Sequence, residues 1–77
     1  RLAGVVQLHI GYVESVGVLS RILALCDRHQ WALSNLTKDP GGGVFMTLAG
    51  VGIRQAPSAI AGVEGVTSVQ RLEDKDE

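Results

Sequence analysis

The 77-residue sequence predicts one small α+β domain whose elements follow the order β-α-β-β-α-β. Two observations support this fold class. Short segments with apolar residues at every second position flank a stretch in which apolar residues recur with helical spacing. A turn-forming segment, residues 38–43, then separates two further strand-like segments and indicates a hairpin.

The first strand is predicted at residues 5–10, because apolar residues recur there at alternate positions. The face expected to be buried carries Val6, Leu8 and Ile10. The opposite face carries Val5, Gln7 and His9.

A helix is predicted over residues 17–29, where the apolar positions follow a period close to 3.6. Ser15 is the expected N-cap. Arg28 and His29 suit the negative C-terminal end of the helix.

The remaining elements are a hairpin, a short helix and a last strand. Strands are predicted at 31–37 and 44–49, on either side of the glycine-rich turn. A short helix follows, with one apolar stripe formed by Ile53, Ala56, Ile60 and Val63. Pro57 fits only its first turn. Residues 66–72 are more polar and are predicted to form an edge strand.

Right-handed crossovers place both helices on one face of the sheet, in a ferredoxin-like arrangement with strand order 4-1-3-2. The other face, which carries Val5, Gln7 and His9, is then free of helices and is the candidate interface. The expected organisation is a linker end at 1–4, the domain at 5–72 and an acidic, flexible tail at 73–77.

Composition argues against several classes of protein. The formal net charge is −1, so no strong positive field favours nucleic acid, and no nucleic-acid partner is expected. No apolar run is long enough to span a membrane, and no signal peptide is recognisable. A single cysteine excludes an internal disulfide.

No enzyme chemistry is expected. The two histidines, His9 and His29, do not accompany a recognisable nucleophile. The acidic residues are scattered without the spacing of metal ligands, so neither a metal nor another cofactor is expected. Cys26 lies on the apolar helix stripe and is expected to be a buried, inert thiol. Trp31 is expected to pack in the core or at an interface.

The connection between the first strand and the first helix is the candidate ligand-binding loop. Its residues are Glu14, Ser15, Val16, Gly17 and Val18. Free backbone amides at a helix N-terminus can bind a carboxylate or another anion. Gly17 permits close backbone approach, although it is equally consistent with a simple turn into the helix.

At this loop the sequence resembles the ACT domain family. The resemblance lies in the order Glu14-Ser15-Val16-Gly17-Val18-Leu19, a helix, Trp31-Ala32-Leu33-Ser34-Asn35-Leu36, an apolar third strand and Gly65-Val66-Thr67-Ser68-Val69. Residues 17–23, Trp31 and 50–54 are most similar to the C-terminal ACT-like domain of MgtC/SapB-type membrane proteins.

The resemblance implies a regulatory domain on the cytoplasmic side of the inner membrane, as part of a larger membrane protein linked to magnesium homeostasis and intracellular survival. Its implied partners are a second copy of itself or its own membrane domain. Two other readings stay open. One is an amino-acid-sensing ACT domain of a metabolic enzyme or standalone regulator. The other is a scaffolding module that binds partners through its open sheet face.

Overall fold

A computed structural model describes residues 4–72, which form a four-stranded antiparallel sheet and two helices in a ferredoxin-like α+β arrangement. The strands are β1 (Gly4–Tyr12), β2 (Ala32–Lys38), β3 (Val44–Gly50) and β4 (Val66–Arg71). The helices are α1 (Val18–Arg28) and α2 (Ala56–Ala61). Sheet order is β2-β3-β1-β4, which confirms the predicted order read from the opposite edge.

The predicted organisation is only partly within the described residues. Gly4 begins β1, one residue earlier than the sequence pattern indicates. The rest of the expected linker end, residues 1–3, and the acidic tail at 73–77 lie outside the described residues.

The core lies between the helices and one face of the two central strands. These strands supply alternating buried residues, namely Val6, Leu8, Ile10, Val44, Met46 and Leu48. The register places Leu8 opposite Met46 and Ile10 opposite Val44, so the two apolar rows form one continuous surface. Helix α1 covers this surface with Val18, Ile22 and Cys26. The core is therefore aliphatic, as the scarcity of aromatic residues implies.

Helix α2 is shorter than its apolar stripe. Residues Ile53–Gln55 form a 3₁₀ turn, and the α-helix follows from Ala56 to Ala61 with Pro57 in its first turn. Ile53, Ala56 and Ile60 are buried, whereas Val63 lies beyond the helix and is only partly buried. The helix ends at Ala61, and Gly62 is its C-cap.

Strand β2 differs from the central strands, because each of its residues is exposed. A β-bulge interrupts its pairing with β3 between Leu33 and Asn35. The pairs Leu33–Leu48 and Leu36–Met46 therefore put both leucines of β2 on the face that carries the helices. Coverage of this edge is incomplete, because each leucine stays 39% exposed.

Candidate functional site

The connection between β1 and α1 is fixed near its β1 end by backbone hydrogen bonds. The amide of Val13 donates to the carbonyl oxygen of Gly65 (2.8 Å), and the amide of Ser15 donates to that of Val13 (2.8 Å). Gly17 then has a φ of 91°, a backbone conformation that L side chains rarely adopt. Glycine is therefore required at this position to turn the chain into α1.

The expected N-cap was wrong. The N-cap of α1 is Gly17, and no side chain makes a capping hydrogen bond there. The left-handed turn at Gly17 places the N-cap two residues after Ser15. The amide of Ser15 instead donates a hydrogen bond within the loop. The amide of Arg21 donates to the carbonyl oxygen of Gly17 (2.9 Å), which closes the first turn. Backbone amides at the start of α1 thus have no side-chain acceptor.

Four of the five candidate loop residues line one open depression of about 430 Å³ beside the start of α1. Its lining consists of Tyr12, Glu14, Ser15, Val16, Gly17, Leu19 and Ser20. The side groups available to a ligand are one carboxylate, two serine hydroxyls and a phenol. These groups can hydrogen-bond a small polar molecule, and Val16 and Leu19 add apolar surface beside them.

Val18 does not line the depression, although the sequence places it among the candidate ligand residues. Its side chain is fully buried in the core. A Cβ atom added at Gly65 would lie 2.6 Å from Cγ2 of Val18, which shows how closely the α2–β4 loop packs against it. Val18 therefore fixes the start of α1 against the loop before β4, while Val16 projects into solvent.

The candidate interface residues Val5, Gln7 and His9 share the sheet face opposite the helices. They pair with Ala49, Thr47 and Phe45, respectively, on β3. Val5 and Gln7 are exposed, as expected for a face without helices. His9 is only partly exposed, because the turn between β2 and β3 lies against it.

The turn is fastened to the sheet by the imidazole of His9. Its Nε2 atom lies 3.0 Å from Oδ2 of Asp39 and 3.0 Å from the carbonyl oxygen of Gly42. Both oxygens are acceptors, so Nε2 carries a hydrogen and donates it. Oδ1 of Asp39 accepts from the amide of Gly41 (3.0 Å), which makes the carboxylate part of the turn itself.

Sequence reasoning missed this contact. His9 and Asp39 are 30 positions apart, and only the register that sets His9 opposite Phe45 brings the turn over β1. The one available signal is the Asp-Pro-Gly segment, which marks a turn without showing what the aspartate binds.

Two further residues have structural roles, as the sequence indicates. Cys26 lies on the buried face of α1, and burial raises the pKa of its thiol. Trp31 is buried, its indole nitrogen donates to the carbonyl oxygen of Val51 (3.0 Å), and its ring stacks on His29 with centroids 4.2 Å apart. Both histidines thus contact aromatic rings within the described part of the chain.

Residues 4–72 contain neither a cluster of metal ligands nor a helix that could span a membrane. Within this range, no group of three or more His, Cys, Asp or Glu side chains is arranged to hold a metal ion. No helix of the described segment has the length and apolar character needed to cross a membrane. Comparisons of the chain with protein-family models, curated proteins and solved structures found no significant match. The fold class therefore rests on the structure alone.

Proposed function

We propose that the chain is a regulatory, dimerising domain of the ACT type within a membrane protein of the MgtC/SapB type, linked to magnesium homeostasis and intracellular survival. The observation that carries the proposal is the β1–α1 connection. Gly17 turns the chain in the left-handed region at the end of a central strand, and Val18 inserts into the core. This geometry suits the acid–gap–glycine–aliphatic order on which the resemblance depends.

The proposed mechanism is a shift between two pairings of the domain. A signal that binds one pairing more tightly raises the population of that pairing. The chain that joins the domain to a membrane region transmits the difference. Regulation of this kind does not require the domain to perform chemistry, and it is compatible with the absence of a nucleophile pattern in the sequence.

Two experiments test the proposal in order. The coding sequence before residue 1 is expected to encode several apolar segments of about 20 residues each. A catalytic domain in that position would contradict the proposal. In the parent protein, deletion of residues 4–72 with the membrane region retained is expected to impair growth at limiting magnesium. Unchanged growth with normal membrane insertion would contradict the regulatory role.

The alternative function is amino-acid sensing, and the depression beside α1 favours it. Uncapped amides at the start of α1 are suited to a carboxylate, and the Glu14 side chain lines the same depression and is suited to an ammonium group. Titration of the 77-residue chain with the common amino acids, followed by amide NMR shifts of residues 13–20, tests it directly.

A matched pair of variants makes the titration specific. Glu14→Gln removes the carboxylate from the depression and is expected to abolish the shifts. Glu64→Gln makes the same change at a side chain that does not line this depression and is expected to leave them intact. Saturable shifts that survive Glu14→Gln would refute the proposed role of Glu14, and no shifts with any amino acid would refute sensing.

We also predict that residues 4–72 do not bind Mg²⁺ specifically. Hard cations need several oxygen ligands at one place, and the acidic residues of this range are dispersed over the loop, α1, the turn and the segment before β4. A Mg²⁺ titration monitored by amide NMR should give only small, linear shifts. Localised shifts within residues 4–72 that saturate below about 1 mM would contradict this prediction.

A further inference from the structure

Two arginines and two valines are exposed at the end of the domain where β1 begins. Arg28 is the last residue of α1, and Arg54 lies in the 3₁₀ turn before α2. Both arginines are exposed, and Val5 and Val51 are each 64% exposed. We call these four residues the basal patch. Aliphatic and cationic side chains exposed together are typical of a contact surface.

Strand pairing brings one half of the basal patch to the start of β1. Gly4 pairs with Gly50, so Val51 follows β3 beside the first residue of β1. A Cβ atom added at Gly4 would lie 3.0 Å from Cγ2 of Ile53, the residue before Arg54. The segment between β3 and α2 is therefore packed against the start of β1.

The end of α1 is fixed at the same place through Trp31. The indole nitrogen of Trp31 donates to the carbonyl oxygen of Val51 (3.0 Å). The backbone amide of Trp31 donates to the carbonyl oxygen of Cys26, in the last turn of α1 (2.9 Å). Arg28 lies between Cys26 and Trp31 in the chain. The basal patch is thus held at one end of the domain by hydrogen bonds and core packing.

Most acidic residues of the described chain lie at the opposite end. Glu14 belongs to the β1–α1 connection, Asp39 to the hairpin turn and Glu64 to the segment before β4. Asp27, next to Arg28, is the exception. An anionic surface therefore attracts one end of the domain and repels the other, which gives the domain a preferred orientation.

We propose that the basal patch binds the surface of a bilayer that contains anionic lipids. Guanidinium groups form paired hydrogen bonds with phosphate, and aliphatic side chains can enter the boundary between headgroups and acyl chains. Each cationic residue contributes only modestly near such a surface, so the patch binds weakly by itself. The contact is therefore suited to a domain that is already tethered to the bilayer.

This inference rests on the proposed function and deepens it. In a membrane protein whose spanning region precedes residue 1, the chain reaches the domain at Gly4, beside the patch. The tether then raises the local concentration of the bilayer at this end. A bilayer is for this reason the expected partner, in preference to a dissolved acidic protein.

Amide NMR of the 77-residue chain with small bicelles provides the first test, because it detects weak binding. Bicelles of phosphatidylcholine mixed with phosphatidylglycerol should give saturable shifts at residues 28–31 and 50–54 and none at residues 13–17. Pure phosphatidylcholine bicelles should give shifts that are about 5-fold smaller or absent. Equal shifts with both lipids, or no shifts with the anionic bicelles, would overturn the proposal.

Two matched pairs of variants locate the contact. Arg54→Gln should weaken binding of anionic bicelles about 5-fold, whereas Lys38→Gln removes a charge at the opposite end and should leave it unchanged. Val51→Asn should weaken it about 3-fold. Val16→Asn, at a valine that is 96% exposed in the β1–α1 connection, should have no effect. Losses of equal size within either pair would overturn the proposal.

Two further titrations distinguish a bilayer from other occupants. Inorganic phosphate at matched ionic strength should not reproduce the shifts, because a dissolved ion offers nothing to the valines. Dilution of the chain without lipid should leave the same amides unchanged. Phosphate shifts as large as those with bicelles would reduce the patch to an anion site, and shifts that depend on chain concentration would assign it to a second copy. Either result would overturn the proposal.

The acidic segment at 73–77 provides a test of sign. Strand β4 is antiparallel to β1 and leads the chain toward the end that carries the basal patch. The four acidic residues of the segment repel an anionic surface, so replacing them with the corresponding amides should strengthen binding. Unchanged or weaker binding after this replacement would overturn the proposal.

The docking surface and the proposed function can fail separately. If the preceding coding sequence encodes a catalytic domain and anionic bicelles still bind the basal patch, the surface stands and the membrane-protein assignment is refuted. If it encodes membrane segments and deletion of residues 4–72 impairs growth, while no bicelle shifts these amides, the docking surface is refuted and the regulatory domain stands.

Discussion

Strands β2 and β3 are two arms of one hairpin, yet they contribute very differently to the molecule. Strand β3 buries Val44, Met46 and Leu48 beneath the helices. Strand β2 pairs with it along the whole hairpin and buries none of its seven residues. Position in the sheet limits what a strand contributes to the core, because even the two leucines that β2 directs to the helix side stay 39% exposed. The helices bury the inner face of the central strands and leave the residues of β2 exposed.

The largest expected effect on stability comes from replacing a leucine by alanine, once in β3 and once in β2. Leu48 and Leu33 lie directly opposite each other in the hairpin, and Leu48 is fully buried whereas Leu33 is 39% exposed. Leu48→Ala should lower the free energy of unfolding by about 2–5 kcal/mol, because it leaves a cavity in the core. Leu33→Ala should lower it by about 1 kcal/mol or less.

Urea denaturation of both variants, at a concentration that keeps the chain monomeric, measures the difference. The dependence of the unfolding free energy on urea should stay close to that of wild type, which shows that both variants unfold from the same compact state. Equal losses for the two variants would mean that β2 is packed as tightly as β3, and the contrast between the strands would be wrong.

The central strands and α1 could be predicted from sequence because local periodicity and burial agree there. Valines, leucines and isoleucines at every second position mark β1, and a residue such as Ile22 falls on the helical stripe that faces them. The start of α1 was predicted less well. A serine at a plausible capping position is a weaker signal than Gly17, whose φ of 91° sets the helix entry.

Features that depend on pairing between distant segments could not be predicted. The bulge in β2 leaves one trace in the sequence, which is the spacing of three between Leu33 and Leu36 in a strand that should have a period of two. The candidate loop does connect β1 and α1, whereas Val18 belongs to the core, because its packing depends on the close approach of Gly65, which is distant in sequence.

The second prediction concerns the tie between the hairpin tip and β1. The His9–Asp39 hydrogen bond, 3.0 Å long, is the side-chain contact through which the turn after β2 is fastened to a central strand. Both side chains are partly buried, so we expect a coupling energy of about 1 kcal/mol in a double-mutant cycle of His9→Ala and Asp39→Ala.

The double-mutant cycle separates the free energy of the His9–Asp39 bond from that of the other contacts which each substitution removes. His9→Ala also removes the edge contact with Phe45, and Asp39→Ala also removes the acceptor for the amide of Gly41. These losses cancel in the coupling energy, provided that each single variant keeps the fold. A coupling energy within about 0.3 kcal/mol of zero would show that the His9–Asp39 bond does not hold the turn, and would leave the bond from His9 to the carbonyl oxygen of Gly42 as its tie to β1.

The smallest effect on stability is a pH dependence that a buried thiol produces and an edge thiol does not. Burial raises the pKa of Cys26 above its ordinary value of 9.0. The unfolded chain therefore loses the thiol proton at lower pH than the folded chain, so this contribution to stability is complete below pH 9.0 and is lost as pH rises through the folded pKa. The pH dependence of wild type is compared with that of the double variant Cys26→Ala, Leu33→Cys. The thiol of this variant is exposed and should ionise at the same pH in the folded and the unfolded chain. Between pH 8 and pH 10, wild type should lose more unfolding free energy than this variant does. Equal pH profiles would show that the folded chain does not shield the Cys26 thiol from water, and the contrast between the covered centre of the sheet and the exposed β2 edge would then be wrong at this position.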